Sequence, residues 1–487
     1  MAKFNLLEEP WIPVREGGRV REVSLRDALV RAPAIERIDT PSPLEEAALH
    51  RLLLAVLYRA LPRLGDFWDA LDLVERGELD SKALEGYLSR FYDRFYLFHE
   101  EAPFLQIPDL PTKDPLPWAK LLPEMASGNN PTLFDHTTEE NVPMTSYAQA
   151  ARALLVHQAY APGGLLKRLG VTSAEDAPLA RPAAFLVVGE NLFQTLVLNL
   201  VPQKDPGVPV WERSPLRTQD VAGHATKWPL QGAALVYAWP SRGVCLLDEG
   251  TGVREMAYGP GVKPLEVGFH DPMVAHRLDA KGQVSPLRLS VEKSFWRDFS
   301  AMLPAAGESF PATLAHALRL AEELGLRREL RVLGQVSDQA KVLDVRREVY
   351  PLPQGFLSPV AEALLQKGLE LAEEVGKELS GVARRVAQGL LGDKDPEELR
   401  RFQDSLPLLR LYWAELDGRF PQFLEKLAGP GAMDFWREEV RRAALRAWEE
   451  TRAFLGTEGR HLKALAEGER AMGSVLAPRQ EKEGKTP

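Results

Sequence analysis

The strongest constraint on the fold is a change of character at residues 350–355, where Pro351, Pro353 and Gly355 stand at alternate positions. Proline fixes its own φ angle and lacks a backbone N–H, and glycine is the most flexible residue, so regular structure is expected to stop here. Most later segments are rich in helix-forming residues, whereas the earlier ones mix strand and helix patterns. The sequence therefore predicts a domain boundary, with a first domain at 1–356.

The region after this boundary has the pattern of several helices with short connections. Ser358-Pro359 and Asp395-Pro396 each pair a capping residue with proline at the first helical position, which is typical of a helix start. Gly456 interrupts the pattern near the end of the chain. Long helices joined by short turns favour a four-helix bundle at 357–477, followed by a polar tail at 478–487 that we expect to be disordered.

The first part of the chain combines strand and helix signals. Residues 11–25 alternate around Gly17-Gly18, which predicts a hairpin, and Ser42-Pro43 followed by periodic apolar residues through Leu61 predicts a capped helix. Residues 183–236 mix apolar runs with loops rich in proline and glycine, so the region is classed as α+β. Further helical patterns cover 67–74, 82–95, 147–160, 291–303 and 311–324.

Composition limits the classes of protein to which the chain can belong. With 487 residues, 45% of them hydrophobic, it can bury large cores and is neither fibrous nor disordered. Cys245 is the only cysteine, which excludes an intramolecular disulfide and a thiolate zinc site and favours the cytoplasm. No apolar run reaches the roughly 20 residues that span a bilayer, and no signal peptide follows Met1, so we expect no membrane contact. Frequent proline and arginine resemble the composition of thermophile proteins.

The net charge argues against a protein that binds nucleic acid tightly on its own. The formal value is −9 at pH 7, whereas free-standing nucleic-acid binders usually present a basic surface. Local departures from this acidity are therefore the informative features. The first is the region 141–174, which contains no Asp or Glu.

A glycine pair lies inside this region. Pro162 precedes Gly163 and Gly164, and glycine permits backbone conformations and a close approach to a ligand that a Cβ atom would block. The pattern suits contact with phosphates or base edges. The alternative is an ordinary helix C-cap after Tyr160.

A turn-rich segment at 127–138 carries Phe134 near its centre. An aromatic side chain on a flexible loop can stack on an unpaired base. The alternative is that Phe134 packs into the core and pins the loop.

A third segment, 327–347, surrounds a polar stretch with basic residues. Gln335 and Gln339 offer the paired amide donor and acceptor that suit base edges, and arginine suits phosphate. The segment is therefore a candidate for entry into a DNA groove, and the alternative is a solvated corner between two helices. Its arginines are Arg327, Arg328, Arg331, Arg346 and Arg347.

Common catalytic signatures are missing from the sequence. It contains no Gly-x-Gly-x-x-Gly after a strand, no Gly-x-Ser-x-Gly elbow and no His-Glu-x-x-His. His270-Asp271 with nearby His276 could belong to a metal-dependent phosphohydrolase, but such a site needs further ligands that the pattern lacks. We therefore expect no enzymatic activity, no metal and no cofactor.

Short motifs occur along the chain in the order Asn5-Leu6-Leu7, Trp11-Ile12-Pro13-Val14, Phe95-Tyr96-Leu97-Phe98-His99, Pro103-Phe104-Leu105-Gln106, Ala161-Pro162-Gly163, and Gly334 with Asp338-Gln339-Ala340. Together they resemble the CasA family, the large subunits of the type I-E CRISPR Cascade surveillance complex. The resemblance is collinear over most of the chain. It implies a large α+β N-terminal domain of unusual topology followed by an all-α C-terminal four-helix bundle.

The resemblance also implies a function without catalysis. The expected subunit recognises the protospacer-adjacent motif in target duplex DNA, promotes strand opening for R-loop formation and helps to recruit the helicase-nuclease of this antiviral defence. Its expected partners are other Cascade protein subunits, the 5′ handle of the CRISPR guide RNA, target double-stranded DNA and the helicase-nuclease. A non-catalytic helical adaptor or scaffold without direct DNA reading is the alternative.

Individual residues acquire roles through the same resemblance. Gln339 is similar to the family's wedge glutamine at the point of strand separation, with Asp338 and Ala340 beside it. Asp338 departs from the amide expected there, and a carboxylate repels phosphate unless it accepts from a cytosine amino group. Gly163 and Gly164 are similar to the loop that approaches the motif from the minor groove.

Two further sites follow from the resemblance. Phe134, Asp135 and His136 are similar to the loop near the guide handle. Lys281 is similar to a lysine that reads the minor groove, and Arg277 is the alternative for that role. Phosphate contacts are expected at Arg277, Arg327, Arg328, Arg346 and Arg347.

Overall fold

The computed structural model describes residues 2–61, 64–123, 143–278, 284–303, 310–338, 341–392, 395–456 and 458–476. The chain divides into two compact units, and one division lies between Tyr350 and Pro351. The first unit comprises the described residues of 1–295 and 304–350, and the second those of 296–303 and 351–487. The assignment of 296–303 to the second unit is not apparent from the sequence, since these residues lie well before Pro351.

The first unit mixes helices with short strands in several small sheets, which confirms the α+β class. Its strands are β1 (Lys3–Asn5), β2 (Ile12–Glu16), β3 (Arg19–Val23), β4 (Arg37–Ile38), β5 (Tyr96–Phe98), β6 (Leu116–Pro117), β7 (Gly164–Arg168), β8 (Val171–Ala174), β9 (Ala184–Val188), β10 (Lys227–Pro229), β11 (Arg242–Asp248), β12 (Val253–Pro260), β13 (Lys263–Leu265), β14 (His276–Leu278), β15 (Val284–Pro286), β16 (Glu329–Asp338) and β17 (Lys341–Pro351). Its α-helices are α1 (Leu25–Val30), α2 (Pro43–Ala60), α3 (Phe67–Arg76), α4 (Ser81–Arg90), α5 (Tyr147–Tyr160), α6 (Leu192–Asn199), α7 (Thr218–Val221), α8 (Ala233–Val236) and α9 (Ala312–Leu324). Short 3-10 helices cover Tyr92–Phe95, Trp118–Leu121, Val210–Glu212 and Ala222–His224.

The hairpin predicted around Gly17-Gly18 is confirmed by β2 and β3. These strands are antiparallel, and Glu16 pairs with Arg19 next to the turn. Gly17 and Gly18 have φ angles of 56° and 73°, in the left-handed region that side chains other than glycine rarely adopt. The turn residues therefore fix the register of the hairpin.

Helix α2 is confirmed with its predicted start. The Ser42 side chain accepts a hydrogen bond from the Glu45 N–H (3.3 Å), and Pro43 occupies the first turn. All residues from Pro43 to Leu57 are buried, and α2 packs against α5, α8 and β16. This helix is consequently a central element of the first unit.

One predicted helix differs from the structure for a specific reason. The pattern at 291–303 predicts an α-helix, but the chain forms only a 3-10 helix at Phe295–Met302. The Arg346 guanidinium donates to the carbonyls of Ser290 (2.6 Å) and Val291 (3.2 Å). In an α-helix these carbonyls would accept from backbone N–H groups one turn later. Here the Arg346 guanidinium takes the place of those donors, so the first α-helical turn does not form.

A second predicted helix, 82–95, is divided in two. Helix α4 ends at Arg90, where the Phe91 N–H bonds the carbonyls of Tyr87 and Ser89. A separate 3-10 helix then covers Tyr92–Phe95.

The sheet β17-β16-β9 runs through the core of the first unit. All residues of β9 are buried, and β16 pairs with it antiparallel, Leu333 opposite Ala184. The segment 327–347 is therefore neither a polar loop nor a corner between helices, and those interpretations are wrong for its described residues. Leu330 and Val332 are fully buried, and these apolar side chains explain why the segment forms a core strand.

The second unit is helical, which confirms the predicted all-α character of the C-terminal region. Helix α10 packs against α11, α12, α14 and α15, and α12 packs against α14. The described helices are α10 (Pro359–Leu391), α11 (Pro396–Ser405), α12 (Leu408–Asp417), α13 (Phe420–Lys426), α14 (Ala432–Leu455) and α15 (Gly459–Val475). The count of four helices stays a prediction, since six helices are described here and three of them, α11, α12 and α13, have ten residues or fewer.

Aromatic side chains fill the core of this second unit. Trp436 stacks on Phe423 with ring centroids 4.7 Å apart, and its indole N–H donates to the Gly368 carbonyl (2.8 Å). A Cβ atom on Gly368 would lie 2.5 Å from Phe423, so glycine is needed for this close packing. In the part of the chain that the structure describes, no helix has both the length and the hydropathy to cross a bilayer.

Candidate nucleic-acid interface

Three of the segments singled out in the sequence lie at least in part within the described residues. We call residues 161–164 the glycine loop, strands β14 and β15 the lysine hairpin, and strands β16 and β17 the basic hairpin. Asp338 ends β16, and Gly163 and Gly164 lie in the glycine loop. Several predicted site residues lie outside the described residues, namely Phe134, Asp135, His136, Lys281, Gln339 and Ala340.

The glycine loop is attached to a segment that we call the connecting segment, residues 177–188. The Ala177 N–H donates to the Ala161 carbonyl (3.0 Å), and the Leu179 N–H donates to the Ala159 carbonyl (2.8 Å). These bonds bring the connecting segment alongside the end of α5, where the loop begins.

The lysine hairpin is attached to the same connecting segment. The Ala183 N–H donates to the Leu287 carbonyl (2.9 Å), and the Phe185 N–H donates to the Met273 carbonyl (2.8 Å). These contacts hold both ends of the hairpin, because Met273 precedes β14 and Leu287 follows β15.

The basic hairpin completes the group. Its strand β16 pairs with β9, which is the last part of the connecting segment. The Gln335 amide group donates to the carbonyls of Tyr160 (3.1 Å) and Ala180 (2.9 Å). The structure thus brings together the bases of the three segments, although they are far apart in sequence.

Gly163 occupies a position that only glycine fits. A Cβ atom there would lie 2.9 Å from the Asp176 nitrogen and 3.0 Å from the Ala174 carbonyl oxygen. The Gly163 N–H donates to Asp176 Oδ1 (2.6 Å), and Arg181 Nε donates to the other oxygen of that carboxylate (3.0 Å). Its amide is therefore engaged within the chain, which fixes the loop but leaves that N–H unavailable to a ligand.

Gly164 is the exposed residue of the pair. It begins strand β7, has a φ angle of 150°, and is followed by Leu165, whose exposed fraction is 73%. Of the two glycines, Gly164 therefore presents the more accessible backbone.

A buried arginine holds the backbone of the glycine loop by hydrogen bonds. Arg242 is almost fully buried, and its guanidinium donates to the carbonyls of Pro162 (2.7 Å) and Ser241 (2.7 Å). A guanidinium is a fixed fork of donors, so these bonds hold the loop backbone in one conformation. The sequence pattern did not single out this residue.

Glu46 of α2 fixes the basic hairpin. It is buried and accepts from both strands, through Arg331 of β16 (2.5 Å) and Nε of Arg347 of β17 (2.7 Å). Arg347 also donates to the Thr40 carbonyl (2.8 Å). Burial acts to lower the pKa of Arg331, but the carboxylates of Glu46 and Glu329 outweigh it and raise that pKa, so this guanidinium stays charged.

The arginines predicted to bind phosphate differ in how far they are exposed. Arg277 and Arg327 are exposed. Arg328 is buried, lies 3.7 Å from Glu322 and donates to the Leu326 carbonyl (3.3 Å), so its predicted phosphate contact is corrected to a structural role. Arg346 and Arg347 are partly exposed, and their guanidinium groups bind backbone carbonyls and the carboxylates of Asp344 and Glu46 respectively.

Gln335 also differs from the sequence interpretation. Its side chain is buried and bonds two backbone carbonyls, so it cannot offer its amide to a base edge as the composition of the segment suggests. Residues 332–336 of β16 are all buried, so both faces of the strand are covered at this point, and the polar side chain of Gln335 gives no sign of this in the sequence.

The residues of the phosphohydrolase hypothesis serve other purposes. Asp271 Oδ2 accepts from the buried guanidinium of Arg51 (2.7 Å), and its Oδ1 accepts from the Met273 N–H (3.0 Å). The rings of His270 and His276 meet edge to face, 5.2 Å apart. Among the described residues, no three His, Cys, Asp or Glu side chains are grouped closely enough to hold a metal ion.

Comparison with known proteins gives consistent matches over nearly the whole chain. The model of a family described as CRISPR-associated protein Cse1 matches residues 5–447. The CRISPR-associated protein CasA/Cse1 of Thermus thermophilus is 61% identical over 492 residues, covering 98% of each chain. The solved structure of Thermus thermophilus CasA (Cse1) aligns with a TM-score of 0.92 at 57% identity, covering 98% of this chain and 99% of that one.

A more distant match extends the likeness in fold. One chain of a solved CRISPR RNA-guided surveillance complex aligns with a TM-score of 0.77 at 19% identity. The alignment covers 98% of this chain and 100% of that chain.

Proposed function

The chain belongs to the family of CRISPR-associated Cse1 proteins, also called CasA, and on this premise we propose that it is the large subunit of an RNA-guided surveillance complex of the Cascade type. The observation that carries the proposal is the family match over residues 5–447, which includes every described segment of the candidate interface. In such a complex the protein reads a short motif and the DNA backbone, while guide pairing reads the target sequence.

The proposed task of the glycine loop and the lysine hairpin is to read the adjacent motif from the minor groove. The exposed backbone of Gly164 supports this role, because a residue without a Cβ atom can approach base edges, and the close packing around Gly163 holds the loop in place. Lys281, or Arg277 in its place, would supply the cation. The minor groove distinguishes mainly A·T from G·C pairs, so the expected motif code is relaxed.

The proposed task of the basic hairpin is to separate the strands beside the motif. Gln339 would insert between base pairs at the point of opening, with Asp338 and Ala340 beside it. Unstacking one step takes roughly a few kcal/mol, which phosphate contacts and guide pairing would offset. The attachment of the hairpin to α2 through Glu46 supports this role, because a wedge must resist displacement.

Phosphate contacts are proposed at exposed or partly exposed cations near these segments. Arg277 and Arg327 are the strongest candidates because both are exposed. Arg346 and Arg347 retain this role only for the part of each guanidinium that faces solvent. Arg328 is excluded from it by burial.

The proposed partners follow from the same assignment. They are the other protein subunits, the guide RNA, target duplex DNA and a separate helicase-nuclease, and Phe134, Asp135 and His136 are proposed to lie near the 5′ handle. A net charge of −9 supports dependence on partners, since an acidic protein gains little from phosphate attraction alone. The proposed role is non-catalytic and cytoplasmic.

Strand opening by complexes that carry Gln339→Ala tests this assignment. A target duplex with 2-aminopurine beside the motif reports unstacking by fluorescence. We expect Gln339→Ala to retain motif-dependent binding but lose most of the fluorescence rise. Substitution of Gln366, a partly exposed glutamine on α10, by alanine should leave both unchanged. Full opening with Gln339→Ala would contradict the wedge role.

A further inference from the structure

Gln335 directly links two of the segments that are proposed to contact DNA. It lies on β16 of the basic hairpin, and its exposed fraction is 2%. Its Nε2 atom donates to the carbonyl of Tyr160, the last residue of α5 before the glycine loop, and to the carbonyl of Ala180 in the connecting segment. A single side-chain amide thus joins the base of the loop to the strand that leads towards Gln339.

We propose that Gln335 is a positioning residue that couples recognition of the motif at the glycine loop to strand opening at the basic hairpin. This inference rests on the proposed function. Gln335 would act without touching DNA, by keeping the loop and the hairpin in one fixed relative position. Displacement of the loop by a wrong motif would then displace the hairpin as well.

The chemistry of the link favours a glutamine over an apolar residue. The amide NH2 group has two donors, and both find backbone carbonyls at 3.1 Å and 2.9 Å. The Tyr160 carbonyl lies in the last turn of α5, where carbonyls lack partners within the helix. A methionine of similar length would fill the same space but leave both carbonyls without this donor.

Apart from these two hydrogen bonds, the side chain of Gln335 makes no polar contact that would favour its burial among the described residues. Gln335 Oε1 is buried and accepts no hydrogen bond from the described residues. Burying an amide with one unsatisfied acceptor is unfavourable relative to burying an apolar side chain. The two bonds to Tyr160 and Ala180 are therefore the feature of Gln335 that an apolar residue could not reproduce.

Rigid attachments continue on both sides of the link. Towards the loop, the Ala177 and Leu179 amides and the Asp176 carboxylate hold the backbone between Ala159 and Gly163. Towards the hairpin, the β9 ladder and Glu46 hold β16. A contiguous, bonded network of this kind is one physical means by which two sites are coupled.

A double-mutant cycle in the assembled complex tests the proposal. Gly163→Ala disturbs the loop and Gln339→Ala removes the wedge, and opening of the duplex beside the motif is measured by 2-aminopurine fluorescence. With Gln335 present, we expect the two effects on the opening equilibrium to deviate from additivity by about tenfold, as interacting residues do. With Gln335→Met, we expect them to combine additively to within about twofold.

A matched control separates coupling from loss of stability. Gln106 is also a buried glutamine of the first unit, and it donates to the Leu97 carbonyl (2.6 Å) and accepts from the Leu246 N–H (2.8 Å). Gln106→Met should lower thermal stability yet keep the tenfold non-additivity. Loss of non-additivity with both methionine variants would show a general structural effect and overturn the proposal, as would its persistence with Gln335→Met.

A second variant keeps the test decisive if Gln335→Met fails to assemble. Gln335→Asn retains an amide but is one methylene shorter, so it cannot reach both carbonyls, and we again expect additivity. The unsubstituted complex distinguishes failure of the proposed function from failure of the coupling alone. If it opens permissive and scrambled motifs equally, the proposed function itself fails, whereas motif-dependent opening that is additive with Gln335 present overturns only the coupling.

Discussion

Arg347 of the basic hairpin donates from Nε to Oε2 of Glu46, 2.7 Å away across 301 positions of sequence. An arginine that the sequence offers to phosphate is thus partly used to hold its own strand against a buried helix. Glu46 accepts from Arg331 of the neighbouring strand as well, so one carboxylate fixes both strands of the hairpin.

Removal of the Glu46 carboxylate should destabilise the first unit. Glu46→Ala removes a carboxylate shared by the mostly buried Arg331 and the more exposed Arg347, and because Arg331 keeps Glu329 as a partner we expect a loss of about 1–3 kcal/mol in the free energy of unfolding in urea. Glu249→Ala is the control, because its pair with Arg254 is exposed and should contribute at most about 1 kcal/mol. Equal effects of the two substitutions would contradict the anchoring role of Glu46.

Addition of a Cβ atom at Gly163 should impair target binding without unfolding the protein. Gly163→Ala brings a methyl group within 2.9 Å of the Asp176 nitrogen, so the loop must shift. We expect complexes with this variant to bind a permissive duplex roughly 5- to 100-fold more weakly, the equivalent of one base-edge contact. Gly86→Ala on α4 is the control, since nothing lies within 4 Å of its added methyl group, and its affinity should match the parent.

Stability should fall as the pH drops below about 6.5, and His157 should account for part of the fall. Burial, with a smaller contribution from the Arg242 charge, lowers the pKa of His157 to about 3. His157 is therefore protonated near pH 6.5 in the unfolded chain but stays neutral in the folded chain. Between pH 6.5 and the folded pKa, the free energy of unfolding falls by up to about 1.4 kcal/mol per pH unit.

The measurement compares His157→Gln with the parent. Urea unfolding at pH 7, 6 and 5 should give a shallower loss of stability for the variant. Some pH dependence should persist, because burial also lowers the pKa of His316 to about 4 and lowers that of His50. An unchanged slope would show that His157 does not contribute.

Substitution of two adjacent arginines should have opposite effects on stability and on the salt dependence of target binding. Arg327 is exposed, so Arg327→Gln should leave stability unchanged and lower the salt dependence of target binding by about one phosphate contact. Arg328 is buried, so Arg328→Gln should lower the thermal midpoint and leave the salt dependence unchanged. The same salt dependence for Arg327→Gln and the parent would remove Arg327 from the proposed phosphate contacts.

Local sequence signals predicted the elements that local interactions determine. The Gly17-Gly18 turn fixes a hairpin, and the Ser42 cap with Pro43 fixes the start of α2, because each depends on neighbours in sequence. Helix α5 follows its predicted range of 147–160 for the same reason.

Contacts between residues far apart in sequence explain the features that the sequence did not predict. The first turn of the helix expected at 291–303 does not form, because the Arg346 side chain bonds its carbonyls. The segment 327–347 forms strands because β16 pairs with β9. The resemblance placed the candidate residues on four separate segments, three of which lie at least in part within the described residues. The common attachment of these three to 177–188 depends on long-range hydrogen bonds, which no local pattern in the sequence indicates.

The most direct test of the central claim is the motif discrimination of the surveillance complex assembled with and without this subunit. The measured quantity is the ratio of dissociation constants for duplex targets with a scrambled and a permissive adjacent motif, at one salt concentration. We predict a ratio of about tenfold or more with the subunit and a ratio near one without it. An unchanged ratio in its absence would contradict the proposed DNA reading and identify the protein as a scaffold.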